Sequence, residues 1–324
     1  MLTEASPLPP LSSLPLRPGD PPRSAWGRWG KDDQLGTLNY LTDELVQKAI
    51  LGEVKTGQRV GLNLPLDLIN PPLLGRSAFE KKIINKAPRV INDDVITFNT
   101  QSSSQWDSFR HFAFQKEGQF YNGATQGEIH GSGSDYSNPV NGLDAWAKKG
   151  IAGRGILVDY ADYADRNGIK YDKTKAHQIS VEVVKTILAE TKTEVHIGDI
   201  LFLRTGFVQG YLALDQSERE AMKMERQWPG MMQSQTTTEW LWESQFAAVA
   251  ADNPAFECGP HADPAWHLHP ILLAGWGTPI GELFDLEGLS RMCKKTGRYS
   301  FFVSSAPLNY SGAVASPPNA IAFF

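Results

Sequence analysis

Short apolar runs that alternate with capped helical segments constrain this chain more than any other feature. Gly155-Ile156-Leu157-Val158-Asp159-Tyr160 is entered through Gly153 and Gly155, and Ile200-Leu201-Phe202-Leu203-Arg204 through the Gly198-Asp199 turn. Runs of this length without polar alternation suit strands covered on both faces. Between them, Ser180-Val181-Glu182-Val183-Val184 opens a helix, with Ser180 as its N-cap and apolar residues at 181, 184, 187 and 188. The pattern continues with a helix over 238–244, a strand over 246–251, a helix over 270–275 and strands over 279–282 and 300–304. Upstream, Thr42 caps a helix that ends near Leu51, and strands are expected at 59–64 and 95–100. Helices alternating with short buried strands predict an α/β fold. No internal repeat or composition break marks a linker, so residues 26–324 are read as one domain.

Residues 1–25 follow a different rule. Pro7, Pro9, Pro10, Pro15, Pro18, Pro21 and Pro22 interrupt every local pattern, so this segment is read as an extended Pro-rich N-terminal arm of the kind that wraps a partner subunit. The same prolines leave no apolar core for a secretory leader. No stretch approaches the roughly 20 apolar residues of a membrane helix, so a soluble, cytoplasmic protein with no membrane partner is expected. The 324 residues carry 31 Lys+Arg against 36 Asp+Glu, a net charge of −5, and the basic residues cluster no further than pairs such as Lys81-Lys82. A phosphate-reading surface needs clustered cations, which argues against nucleic-acid binding. Cys258 and Cys293 are too few for a disulfide framework and lack metal-type spacing; buried thiols are expected. The chain also lacks a Gly-x-Gly-x-x-Gly helix opening, a phosphate loop and a Gly-x-Ser-x-Gly elbow, so dinucleotide, nucleotide and α/β-hydrolase chemistry lose their simplest support.

Two stretches concentrate chemistry-bearing side chains. The first is Gln101-Ser102-Ser103-Ser104-Gln105-Trp106-Asp107-Ser108-Phe109-Arg110-His111-Phe112, directly after a strand. In extended backbone alternate side chains share a face, so Gln101, Ser103, Gln105, Asp107 and His111 are expected to project into one cavity. The competing reading is a solvated loop capped by Ser or Asp. Interleaved aromatic residues favour burial of the polar set. The second stretch is Trp266-His267-Leu268-His269-Pro270, followed by Ile280-Gly281-Glu282-Leu283. His-x-His at strand spacing puts two imidazoles on one face, a pair able to bind metal, although a lone histidine among apolar neighbours is more often a hydrogen-bonded core residue. Glu282 lies among apolar residues, where an ionised carboxylate needs a partner or a metal, and with a nearby histidine it forms an acid/base or ligand pair. Asp252-Asn253-Pro254 at a strand end is read as turn chemistry that can also line the pocket. His177 and His196 are read as surface residues.

The segment from Gln101 to Phe112 resembles the signature of the putative cyclase superfamily, whose members include kynurenine formamidases and isatin hydrolases: His-x-Gly-Thr-His-x-Asp-x-Pro-x-His. Asp107 and His111 fall on its Asp and last His. His269-Pro-Ile-Leu-Leu and Ile280-Gly-Glu282-Leu are similar to the family's C-terminal elements, and the strands at 155–159 and 200–204 also match, so the resemblance spans roughly residues 90–324. Two signature histidines are replaced by Gln101 and Gln105, Gly-Thr by Ser103-Ser104, and the Pro by Phe109. The resemblance implies a single α/β domain with a mixed central sheet flanked by helices, of the swivelling β/α/β type. It implies one divalent metal, Mn or Zn, on Asp107, His269, Glu282 and Gln105; loss of two imidazole ligands shifts the preference toward harder ions, and a metal-free pocket is the alternative. His111 would be the acid/base, with Asp107, His269 and Glu282 orienting ion and water. Gln101, Ser103 and Gln105 would hydrogen-bond a small-molecule substrate, and Trp106, Phe109, Phe112 and Trp266 would wall a flat ring. The implied activity is hydrolysis of a C–N bond in an amide or lactam, or of a related lactone, by a homodimer or homotetramer. The alternatives are a metal-independent cyclase, dehydratase or isomerase of secondary metabolism, and a binding protein that has lost the chemistry.

Overall fold

The computed structural model describes residues 8–131, 138–261 and 263–324. Its strands are β1 (Arg59–Gly61), β2 (Glu80–Asn85), β3 (Asn92–Thr97), β4 (Gln105–Asp107), β5 (Ile151–Asp159), β6 (His177–Ile179), β7 (Ile200–Arg204), β8 (Pro229–Met231), β9 (Ala248–Ala251), β10 (Ile280–Glu282), β11 (Ser300–Ser305), β12 (Ala315–Ser316) and β13 (Ala320–Phe323). Nine of them form one sheet in the order β1-β13-β11-β5-β7-β9-β10-β4-β12. The central β5, β7, β9 and β10 run parallel, and antiparallel pairs extend the sheet on both sides. The apolar runs of the sequence are this parallel centre: every residue of β7 and β9 is buried. Such strands need cover on both faces, which is why they lack polar alternation.

Local signals place the flanking helices. Thr42 Oγ1 accepts from the Leu45 amide and starts the helix Asp43–Glu53, which packs on β5 and β11. Ser180 caps Val181–Glu190, whose buried face is Val181, Val184, Ile187 and Leu188, the stripe expected from periodicity. The architecture is a single α/β domain with a mixed sheet flanked by helices.

Two expectations are not met, at the strand over 95–100 and at His177. The strand expected at 95–100 begins at Asn92 and pairs only with β2, in a two-stranded ribbon outside the main sheet with Ile83, Val95 and Ile96 exposed. Residues 8–25 lie on their own chain: Trp242 Nε1 donates to Pro9 O, the Ala25 amide to Gly275 O and Trp276 Nε1 to Arg23 O. His177 is half-buried, stacked on Tyr171 at 4.4 Å with its Nε2 2.5 Å from the Tyr160 hydroxyl, whereas His196 is exposed as expected. Cys258 and Cys293 are both buried and free. Among the described residues no helix is long and apolar enough to cross a membrane.

Candidate active site

The site forms where β4 pairs antiparallel with β10, beside the parallel strands. Register aligns Gln105 with Glu282 and Asp107 with Ile280, which turns Gln105, Asp107 and Glu282 to one face. Gln105 Nε2 donates to Glu282 Oε2 at 2.6 Å. Trp106, between them, points to the other face and is buried against Phe284, with Nε1 donating to Ser305 Oγ. Its partner is Gly281, where a Cβ would come within 2.8 Å of the Trp106 ring and 2.7 Å of Ala250 Cβ; only glycine lets these layers close.

A turn after β4, closed by the His111 amide donating to Ser108 O, swings His111 back over Asp107. Gln101 Nε2 donates to Asp107 Oδ1 at 2.8 Å and lies 2.6 Å from His111 Nδ1, so one amide sets both side chains. His111 Nε2 is 3.9 Å from Asp107 Oδ2. Burial holds the His111 imidazole below its usual basicity, against the pull of Asp107.

The other half of the site comes from the segment after β9. Asn253 Oδ1 accepts from the Phe256 amide and its Nδ2 donates to Pro229 O and Glu257 O, fixing the turn read from Asp252-Asn253-Pro254. That turn delivers Glu257, 3 % exposed, to both histidines of the His-x-His pair: its Oε1 lies 2.7 Å from His269 Nδ1 and 3.2 Å from His267 Nε2. His269 caps a π-helix, Pro270–Trp276, a rare form concentrated at functional sites. Its Nε2 lies 3.2 Å from Glu282 Oε1, so the ring is clamped between two carboxylates. Burial opposes charge on all three groups. For Glu257 the two imidazoles outweigh it and hold the carboxyl down at about 2, and Glu257 in turn raises His269 well above its usual value. For Glu282 burial and the charge of Asp107 prevail over His269, pushing its carboxyl up to about 7.

His111, Phe112, Glu257, His267, His269 and Glu282 open on a cavity of about 310 Å³, whose other walls include Leu74, Trp228, Pro254 and Pro260. Of the residues singled out from sequence, Gln101, Gln105, Asp107, His111, His269 and Glu282 come together, with Phe112 in the wall. Four do not join them. Ser103 Oγ donates to Pro65 O; Trp106 faces the core; Phe109 is fully buried against Tyr121 and Trp146; and Trp266 lies under the Arg23 guanidinium, outside the cavity lining. Glu257 was not anticipated. Its signal was available, since it is a carboxylate between Phe256 and Cys258, the same argument that singled out Glu282.

The family model described as Cyclase, putative cyclase, matches residues 57–258. The chain belongs to this cyclase family. A solved structure described as a novel cyclase is 32% identical, covers 93% of this chain and 99% of its own, and superposes with a TM-score of 0.81. Isatin hydrolase A from Labrenzia aggregata, bound to benzyl benzoate, is 16% identical over 88% of this chain and 98% of its own, with a TM-score of 0.57. Isatin hydrolase A from Ralstonia solanacearum is 15% identical over 87% and 97%, with a TM-score of 0.56. At these identities the two hydrolases show a shared fold. A comparison with curated proteins finds no match.

This chain of the cyclase family has donors for the divalent cation its resemblance implies. Asp107, His111 and His269 each present a ligand atom within 4.8 Å of the others, as do Glu257, His267 and His269. Asp107 Oδ2, Gln105 Oε1 and Glu257 Oε2 are buried acceptors without a protein donor, the kind of oxygen that a cation or water satisfies. Asp107 Oδ2 and the Gln105 amide oxygen are free to meet such an ion, and His269 Nε2 would join them by giving up its 3.2 Å contact with Glu282.

Proposed function

We propose that this cyclase-family protein is a hydrolase that cleaves the C–N bond of an amide or lactam, or the ester bond of a related lactone, in a small aromatic molecule. The observation that carries the reading is the placement of His111 over Asp107 at a 310 Å³ cavity walled by Phe112 and Trp228. A cavity of this size with aromatic walls and a few convergent polar groups suits a flat small molecule. His111, its basicity lowered by burial, takes the proton of the attacking water at Nδ1, giving up its Gln101 hydrogen bond as it does so, and returns the proton to the leaving nitrogen or oxygen. Gln101 holds the His111 ring and Asp107 in one arrangement, and Asp107 stabilises the imidazolium as it forms. Asp107, His269 and the Gln105 oxygen would hold a divalent ion; bound there, it would acidify water and polarise the carbonyl. The shared fold with isatin hydrolases supports the class of reaction, isatin being itself an aromatic lactam.

One observation favours a second reading, metal-independent proton transfer. The Gln101 amide nitrogen already bridges Asp107 and His111, that of Gln105 bridges Asp107 and Glu282, and His269 is held between Glu257 and Glu282, so hydrogen bonds alone cross-link the centre. Mass spectrometry of the purified protein incubated with aryl formamides, aromatic lactams and lactones separates the two, together with elemental analysis and EDTA treatment. Ring-opened lactams and lactones heavier by one water, and an arylamine with formate from the formamides, lost on chelation and restored by Mn or Zn, are expected. Products of unchanged mass or lighter by one water, with chelation indifferent, would replace hydrolysis with isomerisation or dehydration.

A further inference from the structure

One wall of the cavity carries charge that the hydrolytic chemistry does not use. Arg76 and Arg226 both line it, and they come from segments held side by side: the Gly75 amide donates to Lys223 O at 3.2 Å. Several arginines elsewhere are neutralised by carboxylates, although Arg110 is held by the Gly312 and Asn138 carbonyls instead. Arg154 pairs with Glu53 and Asp199, Arg204 with Asp159 and Glu287, and Arg298 with Glu53. Among the described residues neither Arg76 nor Arg226 has a carboxylate within ion-pair distance. Arg76 Nη1 donates to Gln101 O at 2.5 Å, and the acidic neighbour of Arg226, Glu225, is taken by Lys175 at 2.6 Å. The remaining charge in the cavity is distributed oppositely. Its acids, Glu257 and Glu282, with Asp107 behind them, are the groups that hold His267, His269 and His111.

We propose that the substrate is an anion, an aromatic carboxylate, and that Arg226 together with Arg76 forms the subsite that binds its carboxylate. This rests on the reading of the cavity as the substrate site. Guanidinium binds carboxylate through paired charge-assisted hydrogen bonds, and an arginine with no carboxylate of its own breaks no ion pair by taking an external one. The separation of charge also orients the molecule. Its carboxylate is drawn to the arginines, because the histidines of the cavity already have Glu257, Glu282 and Asp107 as partners, which leaves the scissile bond for His111, with the ring between Phe112 and Trp228.

Isothermal titration of the intact protein, with and without EDTA, with naphthalene-2-carboxylate, naphthalene-2-sulfonate and naphthalene-2-carboxamide tests the subsite. The sulfonate is a good arginine partner and a poor metal ligand. Both anions are expected to bind about tenfold to a hundredfold tighter than the amide, the range of a charge-assisted hydrogen bond. Arg226→Gln is expected to remove that preference for both anions without shifting the Tm, because its exposed side chain supports no other group; Arg76→Gln is expected to reduce it. Equal affinity for amide and anions, failure of either anion to bind, or a preference that survives in both variants overturns the proposal. A preference confined to the carboxylate and abolished by EDTA assigns it to a bound cation and also overturns it. None of these readouts needs turnover. Anion preference without hydrolysis of any substrate would refute the hydrolase and keep the arginine subsite, and hydrolysis of neutral amides without anion preference would do the reverse.

Discussion

Replacing His111 by alanine separates catalysis from folding, because the structure gives the side chain little structural work. Its imidazole is 19% exposed, opens on the cavity, and has one hydrogen-bonding neighbour, Gln101, at 2.6 Å. Losing that bond costs about 1 kcal/mol. No sealed void forms, because the space joins the cavity and fills with water, so the cavity penalty of a core truncation does not apply. For a chain of this length the change corresponds to a Tm drop of about 2 °C. A general acid–base residue contributes about 10²–10⁴-fold to rate, so kcat/KM should fall by at least two orders of magnitude on any substrate the panel identifies. Imidazole added to the buffer should restore part of the activity, since the vacated position is reached through the open cavity. Kinetics and thermal unfolding are measured on the same preparations. Activity above about a tenth of wild type would refute the role given to His111. A Tm drop of more than about 5 °C with no imidazole rescue would make the residue structural instead.

Phe109 and Phe112 are both aromatic and three residues apart, yet opposite outcomes are expected. Phe109→Ala, in the core against Tyr121 and Trp146, should cost about 3–5 kcal/mol of stability by urea denaturation; Phe112→Ala, packed edge-on to His267 and His269, should raise KM with a stability loss below about 2 kcal/mol. The reverse pattern would contradict their placement. Asp162 gives a pH test remote from the site. Although partial burial raises its pKa, Lys294 Nζ at 2.6 Å and Arg166 Nε at 2.8 Å outweigh that and lower it. The folded state therefore prefers the ionised form, and this stability is present above the ordinary carboxylate range and lost as pH falls through the lowered value. Asp162→Asn should be less stable than wild type by up to about 1 kcal/mol at pH 7, with the gap closing as the pH falls below the ordinary carboxylate range. A gap that stays unchanged as the pH falls would sink that attribution.

Where a local rule governed the backbone, the sequence was readable. The Thr42 and Ser180 caps and the apolar run Ile200–Arg204 stand in the structure where side-chain chemistry and burial put them. The polar cluster was legible as a site but not in its membership, because strand alternation was applied beyond the strand. Regular extended pairing covers only Gln105–Asp107, so parity correctly groups Gln105 with Asp107, and it sends Trp106 to the opposite face. Ser103 precedes that strand and Phe109 follows it, and each goes where a turn directs it. His111 reaches the site through the Ser108 turn, not through alternation. Glu257 depends on three side-chain bonds of Asn253 and on the entry to a π-helix, neither of which has a sequence period. The β2–β3 ribbon was only partly legible: the strand expected at 95–100 overlaps it at 95–97, while Glu80-Lys81-Lys82 and Asn92-Asp93-Asp94 have no apolar face to signal a strand, the ribbon being exposed along almost all of its length.

The division of labour between sheet and loops has an evolutionary consequence. Gln105, Asp107 and Glu282 are fixed by the pairing of two strands, and disturbing one shifts the register of all three. Leu74, Trp228, Pro254 and Pro260, by contrast, sit on connecting segments that bear no ladder hydrogen bonds of the main sheet. Descendants of this chain can therefore trade one guest molecule for another by rewriting connections, while the reacting groups stay anchored; relatives sharing the scaffold are free to diverge in diet long before they diverge in chemistry.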